Sequence, residues 1–573
     1  MEYLVIVLLI LAVLGAASRI SSKRAHKKLT ESIKRFWGSL PDSEDVETWQ
    51  RDLIALRFKR SRKAGDRFLI DDRTWESLNG DALFNRLNGT WSDIGEAYLY
   101  FALRKPLLDR ASYEAREKLI RYWKNHTEAR ETVAYRLALM GKSRSKGLVS
   151  VYHEEPFQEL NNKLPFKVMT FLPFAAIPCF FLNSGFGLFV LVIALAANSV
   201  YHQKLVKELD EKIPALTRIL SFIHHSAQLA KLHLPELKDR TVHIQACCQT
   251  LEPAARGAVL LQTRGENAFN EALGLFELIK MMFFIDVWKY DRCAAFLGQH
   301  KNCLAELADE IGEWDATLAM ASYHEAVKAT SCVPIIRWDN DGQSLVDEER
   351  DAMTICAEGG IHPLIAGCVP NPVKISKPLL LTGSNASGKS TYLKMTALNA
   401  LTAHTLLLCH GTSWRSAPLF PVVSMNLKDD LLTGESYFMA EIKTLKSVFS
   451  LLNPQVKCLC VVDEVLRGTN TIERIAASSR LLKRLAGKNA CILAATHDTE
   501  LTGILENYYE NMHFTEEVTA DTISFDYKIK PGRATTRNAI RLLDLLGFEK
   551  EVVEDAYQAV ERFEKDRAWK SIP

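Results

Sequence analysis

The chain has 573 residues, too long for a single hydrophobic core, and its length predicts two to four domains. Apolar residues make up 47% and charged residues 24% of it, as in globular proteins. The formal net charge of +2 excludes a strong overall field for nucleic acid, so any DNA contact would need a local basic patch. The 12 cysteines are scattered without paired C-x-x-C elements, which indicates reduced thiols rather than a disulfide scaffold.

Residues 1–20 predict a transmembrane anchor helix. Residues 3–17 read YLVIVLLILAVLGAA and carry no charge, and Ser18 and Ile20 extend this run towards the length of about 20 residues that spans a bilayer. A cleaved signal peptide is the alternative, but its basic residues would precede the apolar run. Here Arg19 and Lys23 follow it, which places them in the cytoplasm by the positive-inside rule.

Residues 21–164 predict a basic helical region. Its basic cluster between Arg57 and Arg67 is consistent with contact to anionic lipid, with contact to nucleic acid, or with a solvated helix face. Amphipathic helical stretches alternate with turns from Phe68 to Gly141.

Residues 165–201 predict a transmembrane hairpin. The 33 residues 168–200 contain no charged side chain, and Asn183-Ser184-Gly185 is a turn signal in their middle. Two short spanning or re-entrant helices fit this pattern, and a buried helical hairpin of a soluble protein is the alternative. Residues 202–345 then predict long helices with apolar positions at helical spacing.

Residues 346–573 predict a nucleotide-binding α/β domain. The apolar run Leu379–Leu381 leads into GSNASGKS, which is the phosphate-binding pattern G-x-x-x-x-G-K-[ST], and a helix-forming stretch follows. Backbone N–H groups of such a loop face phosphate oxygens. We expect Lys389 to neutralise the β- and γ-phosphates and Ser390 to bind Mg²⁺. The nucleotide-binding residues are predicted to be Gly383, Ser384, Asn385, Ala386, Ser387, Gly388, Lys389, Ser390 and Thr391.

Two later strands predict the catalytic groups. CLCVV ends in Asp463 and Glu464, where Asp463 is placed to hold Mg²⁺ and Glu464 to orient or deprotonate the attacking water. ACILAAT ends at His497, which is expected near the γ-phosphate as a sensor. A carboxylate pair or a histidine at a strand end is often only structural, but the preceding phosphate-binding pattern favours the catalytic interpretation.

These motifs carry a family resemblance. GSNASGKST, TGESYFMAE, DEVLRGTNT and ATHDTEL occur in the order found in the MutS mismatch-repair ATPases. Gly360–Leu364 resembles the segment that opens their ATPase domain, and 536–560 resembles the helical dimerisation region that closes it. Upstream, 312–326 is similar to the helix that returns from their lever. No segment resembles the mismatch-reading domain, and 366–376, where the family supplies an aromatic platform for adenine, contains no aromatic residue.

The resemblance implies a P-loop ATPase domain of the ABC-like branch on a mostly α-helical core and lever. It implies a homodimer with composite ATP sites, in which Ser436 contacts the γ-phosphate bound by the partner. Ser436 could equally be a helix N-cap. ATP and Mg²⁺ are the expected ligands.

We therefore expect a membrane-anchored, Mg²⁺-dependent ATPase that acts on DNA structures in repair or recombination. The alternative is an ATPase that remodels a membrane or a protein partner without DNA. An ABC transporter is disfavoured because no LSGGQ-type signature occurs and the apolar segments are too few. The expected location is the bacterial inner membrane, with the ATPase domain in the cytoplasm.

Overall fold

A computed structural model of the chain describes most of its residues. They are 21, 23–41, 48–142, 148–152, 160, 162–256, 279–338, 355–384, 387–425, 437–452, 456–466, 469–518, 523–534, 539–566, 568–569 and 571. The anchor predicted at 1–20, together with Asn385, Ala386 and Ser436, lies outside these residues, so their assignments stay predictions.

The chain divides into two compact units. The first comprises Met1–Leu69, Phe84–Arg104 and Ala115–Val327, and the second comprises Ile70–Leu83, Lys105–Glu114 and Lys328–Pro573. The second unit thus begins before residue 346, where the sequence placed its start. The reason is that two short strands after residue 330 pair with strands that follow the phosphate-binding motif.

The first unit is helical throughout its described residues. Residues 23–36 form one helix. The other α-helices that lie wholly in this unit are Thr48–Ile54, Leu56–Lys63, Asp93–Leu103, Thr127–Met140, Leu164–Phe171, Ala176–Leu182, Ser184–Glu208, Lys212–Ala230, Lys238–Ala255, Ile285–Gln299 and Lys301–Ala326. The unit boundaries fall inside two further helices, Gly80–Leu87 and Arg110–Asn125.

The helix Lys301–Ala326 forms the centre of this unit. It packs closely on the helix Asp93–Leu103, and a side chain at Gly95 would lie 2.0 Å from the Asp315 carboxylate. Asp315 is fully buried and accepts hydrogen bonds from Ser92 through both its backbone N–H (2.8 Å) and its hydroxyl (2.6 Å). Burial raises the pKa of Asp315 to about 6, and these hydrogen bonds oppose the rise. The carboxylate therefore fixes the start of one helix against the middle of the other.

The apolar segment predicted as a hairpin forms two helical arms that meet at Asn183. The Asn183 side chain caps the second arm by accepting from the backbone N–H groups of Gly185 (2.8 Å) and Phe186 (3.1 Å). The arms span Leu164–Leu182, with a 3-10 turn at Leu172–Ala175, and Ser184–Glu208. By length and composition alone both could cross a membrane, and only 17% of the most apolar window of each is buried.

The second unit is a mixed α/β structure. Its strands are β1 (Ser331–Cys332), β2 (Ile335–Ile336), β3 (Ile355–Gly360), β4 (Asn371–Ile375), β5 (Leu379–Thr382), β6 (Cys409–His410), β7 (Ser413–Ser416), β8 (Phe420–Ser424), β9 (Cys458–Asp463), β10 (Ala490–Ala495), β11 (Glu510–His513), β12 (Glu516–Val518), β13 (Ile523–Phe525) and β14 (Lys530–Pro531). Its helices are Asp72–Ser77, Lys389–Thr405, Tyr437–Leu451, Thr471–Ala486, Thr499–Ile504, Ala539–Leu545 and Lys550–Asp566.

The main sheet of this unit has six strands in the order β14-β11-β5-β10-β9-β8. All neighbouring pairs are parallel except the edge pair of β14 and β11. Every residue of β5, β8, β9 and β10 is buried, as expected of parallel strands with both faces of the sheet covered. A second sheet has the order β2-β7-β3-β4. The predicted fold class, α/β with a mostly helical remainder, is confirmed at this level.

Candidate active site

Three parallel strands bring the predicted catalytic residues to one edge of the main sheet. In the register of the sheet, Leu381 of β5 lies beside Ala495 of β10, and Ala495 lies beside Asp463 of β9. The glycine-rich motif, Glu464 and His497 follow directly after these positions. Because carboxyl ends of parallel strands share one edge, motifs far apart in sequence meet there.

Two glycines shape the turn between β5 and the helix Lys389–Thr405. Gly383 has φ +134°, and a side chain there would lie 2.7 Å from the carbonyl oxygen of Phe514. Gly388 has φ +104° and is the N-cap residue of the helix. Both conformations lie in the region that side chains rarely adopt, so glycine is required at both positions.

Lys389 is fully buried at the start of this helix. Its amine donates to the carbonyl oxygen of Gly383, and it lies 3.2 Å from Nδ1 of His497. Burying a cation costs free energy unless polar or charged groups surround it. The buried Lys389 amine therefore favours the binding of an anion at the glycine-rich turn.

Ser390 and Asp463 bring two oxygen-bearing groups, a hydroxyl and a carboxylate, together beside Lys389. The Ser390 hydroxyl donates to Oδ2 of Asp463 at 2.7 Å. The other carboxylate atom, Oδ1, is buried and has no hydrogen-bond partner among the described residues. A buried carboxylate oxygen in that state fits a Mg²⁺ site, because Mg²⁺ binds oxygen ligands and often takes one or two carboxylates. Burial lowers the pKa of Lys394 in the same helix, and the Asp463 carboxylate opposes this shift.

Glu464 and His497 form a second pair. Nε2 of His497 lies 2.7 Å from Oε1 of Glu464, whose side chain is 12% exposed. Glu464 has φ +55°, a left-handed conformation that is unfavourable for a residue with a side chain, and its backbone N–H donates to Ala495 at 3.0 Å. Both ring nitrogens of His497 lie near the Lys389 amine, Nδ1 at 3.2 Å and Nε2 at 3.3 Å, so the imidazole lies between this amine and the Glu464 carboxylate.

The remaining loop residues hold the turn. The Ser384 hydroxyl donates to Oε2 of Glu516 at 2.6 Å, and the Ser387 hydroxyl donates to the carbonyl oxygen of Ser384 at 2.6 Å. Thr391 lines a cavity next to the turn. The structure thus brings together the predicted residues that it describes, from Gly383 to Thr391, with Asp463, Glu464 and His497.

The cavity lined by Thr391 has a volume of about 260 Å³. Several of its other lining residues were not predicted from the sequence to belong to the site. Its lining includes the aromatic residues Tyr392, Phe514 and Tyr527 and the small apolar side chains of Cys368 and Val369. A side chain at Gly388 would lie 3.3 Å from the Tyr527 ring, so the ring adjoins the glycine-rich turn.

Asn371 positions Tyr527. Its amide Nδ2 donates to the Tyr527 carbonyl at 2.8 Å, and its Oδ1 accepts from the backbone N–H of Ile529 at 2.9 Å. Tyr527 lies far along the chain from Gly388, so motif spacing gives no signal for it. An aromatic side chain from outside 366–376 thus lies beside the glycine-rich turn.

Comparisons with known proteins agree with this geometry. Residues 379–564 match the family MutS domain V. The DNA mismatch repair protein MutS of Natronomonas pharaonis is 32% identical over 268 residues, covering 44% of this chain and 29% of that protein. Two MutS proteins of Thermus thermophilus are each 32% identical over 203 residues, covering 34% of this chain.

The chain thus spans under a third of the length of these curated relatives: 29%, 25% and 24%. The segment that matches the family, 379–564, lies in the second unit and contains the glycine-rich turn and the strand-end carboxylates. Residues 379–564 thus match MutS domain V, and the curated proteins that share this similarity are DNA mismatch repair proteins MutS.

Proposed function

We propose that this chain is a Mg²⁺-dependent ATPase. The observation that carries the proposal is the convergence of Lys389, Ser390, Asp463, Glu464 and His497 at one edge of a parallel sheet. A buried amine, a hydroxyl–carboxylate pair and a second carboxylate are the groups that phosphoryl transfer to water requires.

Each residue has a distinct task in this proposal. Lys389 binds the β- and γ-phosphates, exchanging its contacts with Gly383 and His497 for phosphate oxygens. Ser390 and Asp463 hold Mg²⁺, which when bound neutralises charge that develops on the phosphates. The unpartnered Oδ1 of Asp463 supports this assignment.

Glu464 orients the attacking water and accepts its proton. Nε2 of His497 lies 2.7 Å from Glu464 and the ring lies beside Lys389, so it links the group that binds phosphate to the group that activates water. A displacement of Lys389 by phosphate would therefore change the surroundings of His497 and, through it, of Glu464. His497 thus serves as the γ-phosphate sensor.

We expect Glu464→Gln to bind ATP and remain dimeric but to hydrolyse ATP at least about 100-fold more slowly, because the amide cannot accept the proton. Phosphate release and equilibrium ATP binding measure the two effects. The control is Glu358→Gln, an exposed glutamate of β3 that pairs with Lys374. Wild-type turnover in Glu464→Gln would rule out the catalytic assignment.

We also propose that the cavity beside Gly388 binds the adenine base. Tyr527 offers a ring 44% exposed for stacking, next to the turn proposed to bind the phosphates. The apolar side chains of Cys368 and Val369 also line this cavity. Such a mostly apolar cleft with a few polar groups is typical of a base-binding pocket.

Tyr527→Ala is expected to weaken ATP binding about 5- to 100-fold, since stacking of a base on an aromatic ring contributes about 1–3 kcal/mol. Binding of inorganic tripolyphosphate, which has no base, should be unchanged. Tyr508→Ala is the matched control, since Tyr508 is 42% exposed in the same unit. Equal losses for ATP and tripolyphosphate would argue against a base site.

The family resemblance further supports a homodimer in which Ser436 completes the ATP site of the partner subunit. Binding of ATP would then join the two domains, and hydrolysis would release them. ATP can drive this cycle because it would bind the joined dimer more tightly than the separated domains.

We propose that DNA is the substrate of this cycle, as the names of the relatives indicate for those proteins. The basic cluster at 57–67 gives limited support. Arg57 forms a 2.6 Å ion pair with Asp309 and stacks on Phe101 within its own unit, and Arg60 donates to the carbonyl of Val151. These two cations have structural partners, so a DNA contact depends on other basic residues.

We expect the detergent-solubilised protein to bind duplex, four-way junction or single-stranded DNA, with an affinity that falls as salt rises, because phosphate contacts release counterions. Fluorescence anisotropy at several salt concentrations measures this dependence. If none of the three DNAs binds at low salt, the alternative of a membrane- or protein-remodelling ATPase replaces the DNA proposal.

We propose finally that the protein is an integral membrane protein with a cytoplasmic ATPase domain. The hairpin arms expose large apolar side chains: Phe181 is 87%, Leu182 81% and Val200 72% exposed. Monomeric soluble proteins rarely expose apolar patches of this kind. Lysines lie at both ends of the hairpin, at Lys163, Lys167, Lys204 and Lys207, as expected if both ends are cytoplasmic.

A carbene-generating hydrophobic diazirine dissolved in the bilayer is expected to label 164–200 in native membranes. Exposed apolar residues outside the hairpin, Val242 and Val552, are the internal controls and should stay unlabelled. Mass spectrometry of the digested protein locates the label. An unlabelled 164–200 segment would exclude the membrane hairpin while leaving the ATPase proposal intact.

A further inference from the structure

Two helices of the first unit bring together side chains that bind metals. The helix Lys238–Ala255 packs on the helix Lys301–Ala326, and Arg240 joins them through ion pairs to Glu310 (3.1 Å) and Glu313 (2.7 Å). The same face of the first helix carries His243 and, one turn later, Cys247. The second helix carries Cys303 and Glu306, three residues apart.

The ligand atoms of three of these residues are close in space. The His243 ring nitrogen, the Cys247 sulfur and a Glu306 carboxylate oxygen all lie within 4.8 Å of one another. The Cys303 sulfur lies 3.8 Å from the carbonyl oxygen of Cys247. Three ligand atoms from two helices are therefore close together, and a second thiol adjoins the same turn of the first helix.

The chemistry of this set selects a particular ion. Thiolate, imidazole and carboxylate at about 2.0–2.3 Å in a tetrahedron are the ligands of Zn²⁺. Ligand atoms around one such ion lie closer together than this 4.8 Å limit, so any wider pair has to close on binding. His243 and Glu306 are exposed and can do so, whereas buried Cys247 anchors the site.

We propose that His243, Cys247, Cys303 and Glu306 form a structural zinc site. The ion would link the helix Lys238–Ala255 to the long central helix of the first unit. With four protein ligands no position stays open for substrate, so the expected role is stabilisation of this helix pair. This inference does not depend on the proposed ATPase activity.

The full-length protein in detergent, stripped with a chelator under reducing conditions, is titrated with Co²⁺ and then with Zn²⁺. We expect a thiolate-to-Co²⁺ charge-transfer band that Zn²⁺ abolishes, together with a rise in melting temperature on Zn²⁺ binding. Co²⁺ at the proposed Mg²⁺ site has only oxygen ligands and gives no such band. Glu464→Gln should retain the band.

Ligand variants locate the ion. His243→Gln and Cys303→Ser should each weaken Co²⁺ binding by more than about 10-fold, since even partners outside the coordination shell contribute this much. Neither side chain is buried, so both variants should fold. The matched controls are His233→Gln, also exposed in this unit, and Cys332→Ser, also a partly buried free thiol.

Three results would overturn the proposal. One is the absence of a charge-transfer band in the wild-type protein. Another is a band of unchanged affinity in both ligand variants, which would place the ion at other cysteines. The third is a Cys247–Cys303 disulfide in protein purified without reductant from reducing cytoplasm, which would identify the pair as a redox element instead.

Discussion

The alignment of three parallel strand ends is the constraint on which the candidate active site depends. β5, β10 and β9 are buried along their whole length, and their register sets Leu381, Ala495 and Asp463 side by side. A shift of one residue in either pairing would turn every side chain of a strand to the opposite face of the sheet. The apolar interior of the sheet thus fixes the position of polar groups that contribute nothing to its packing.

Glu464 illustrates how the backbone completes this arrangement. Its N–H still bonds to Ala495, so strand pairing continues to this residue, but its φ of +55° ends the strand there. A left-handed residue with a side chain costs about 1–2 kcal/mol. The conformation brings the carboxylate to His497. The strained backbone of Glu464 thus places its carboxylate in the proposed water-activating pair with His497. Backbone strain of this kind is common at functional sites.

The sequence predicts the parts of this site that are local or that end a strand. Gly383 and Lys389 belong to one strand–turn–helix unit, so their spacing alone defines their geometry. Asp463 and His497 could be assigned because buried parallel strands must end at a common edge. The role of Tyr527 could not be predicted, since its position depends on Asn371 of β4, which donates a hydrogen bond to the Tyr527 carbonyl and accepts one from the N–H of Ile529. Likewise, His243 and Glu306 are close only because two helices pack in one particular register.

A separate question is whether the surface of the hairpin suits lipid or water. Its one buried polar residue, Asn198, bears on this question. The Asn198 amide is buried and donates to the carbonyl oxygens of Met169 (2.9 Å) and Met282 (2.7 Å). The NH₂ group of Asn198 is thus satisfied within the protein, whereas its Oδ1 has no hydrogen-bond partner among the described residues. Large apolar side chains cover the outside of the same arms. Outward-facing apolar groups suit a bilayer, whose core offers no hydrogen-bond partners. In water the same surface would favour aggregation. The amino-acid distribution of the hairpin is therefore better suited to lipid than to water, which supports the membrane location proposed above.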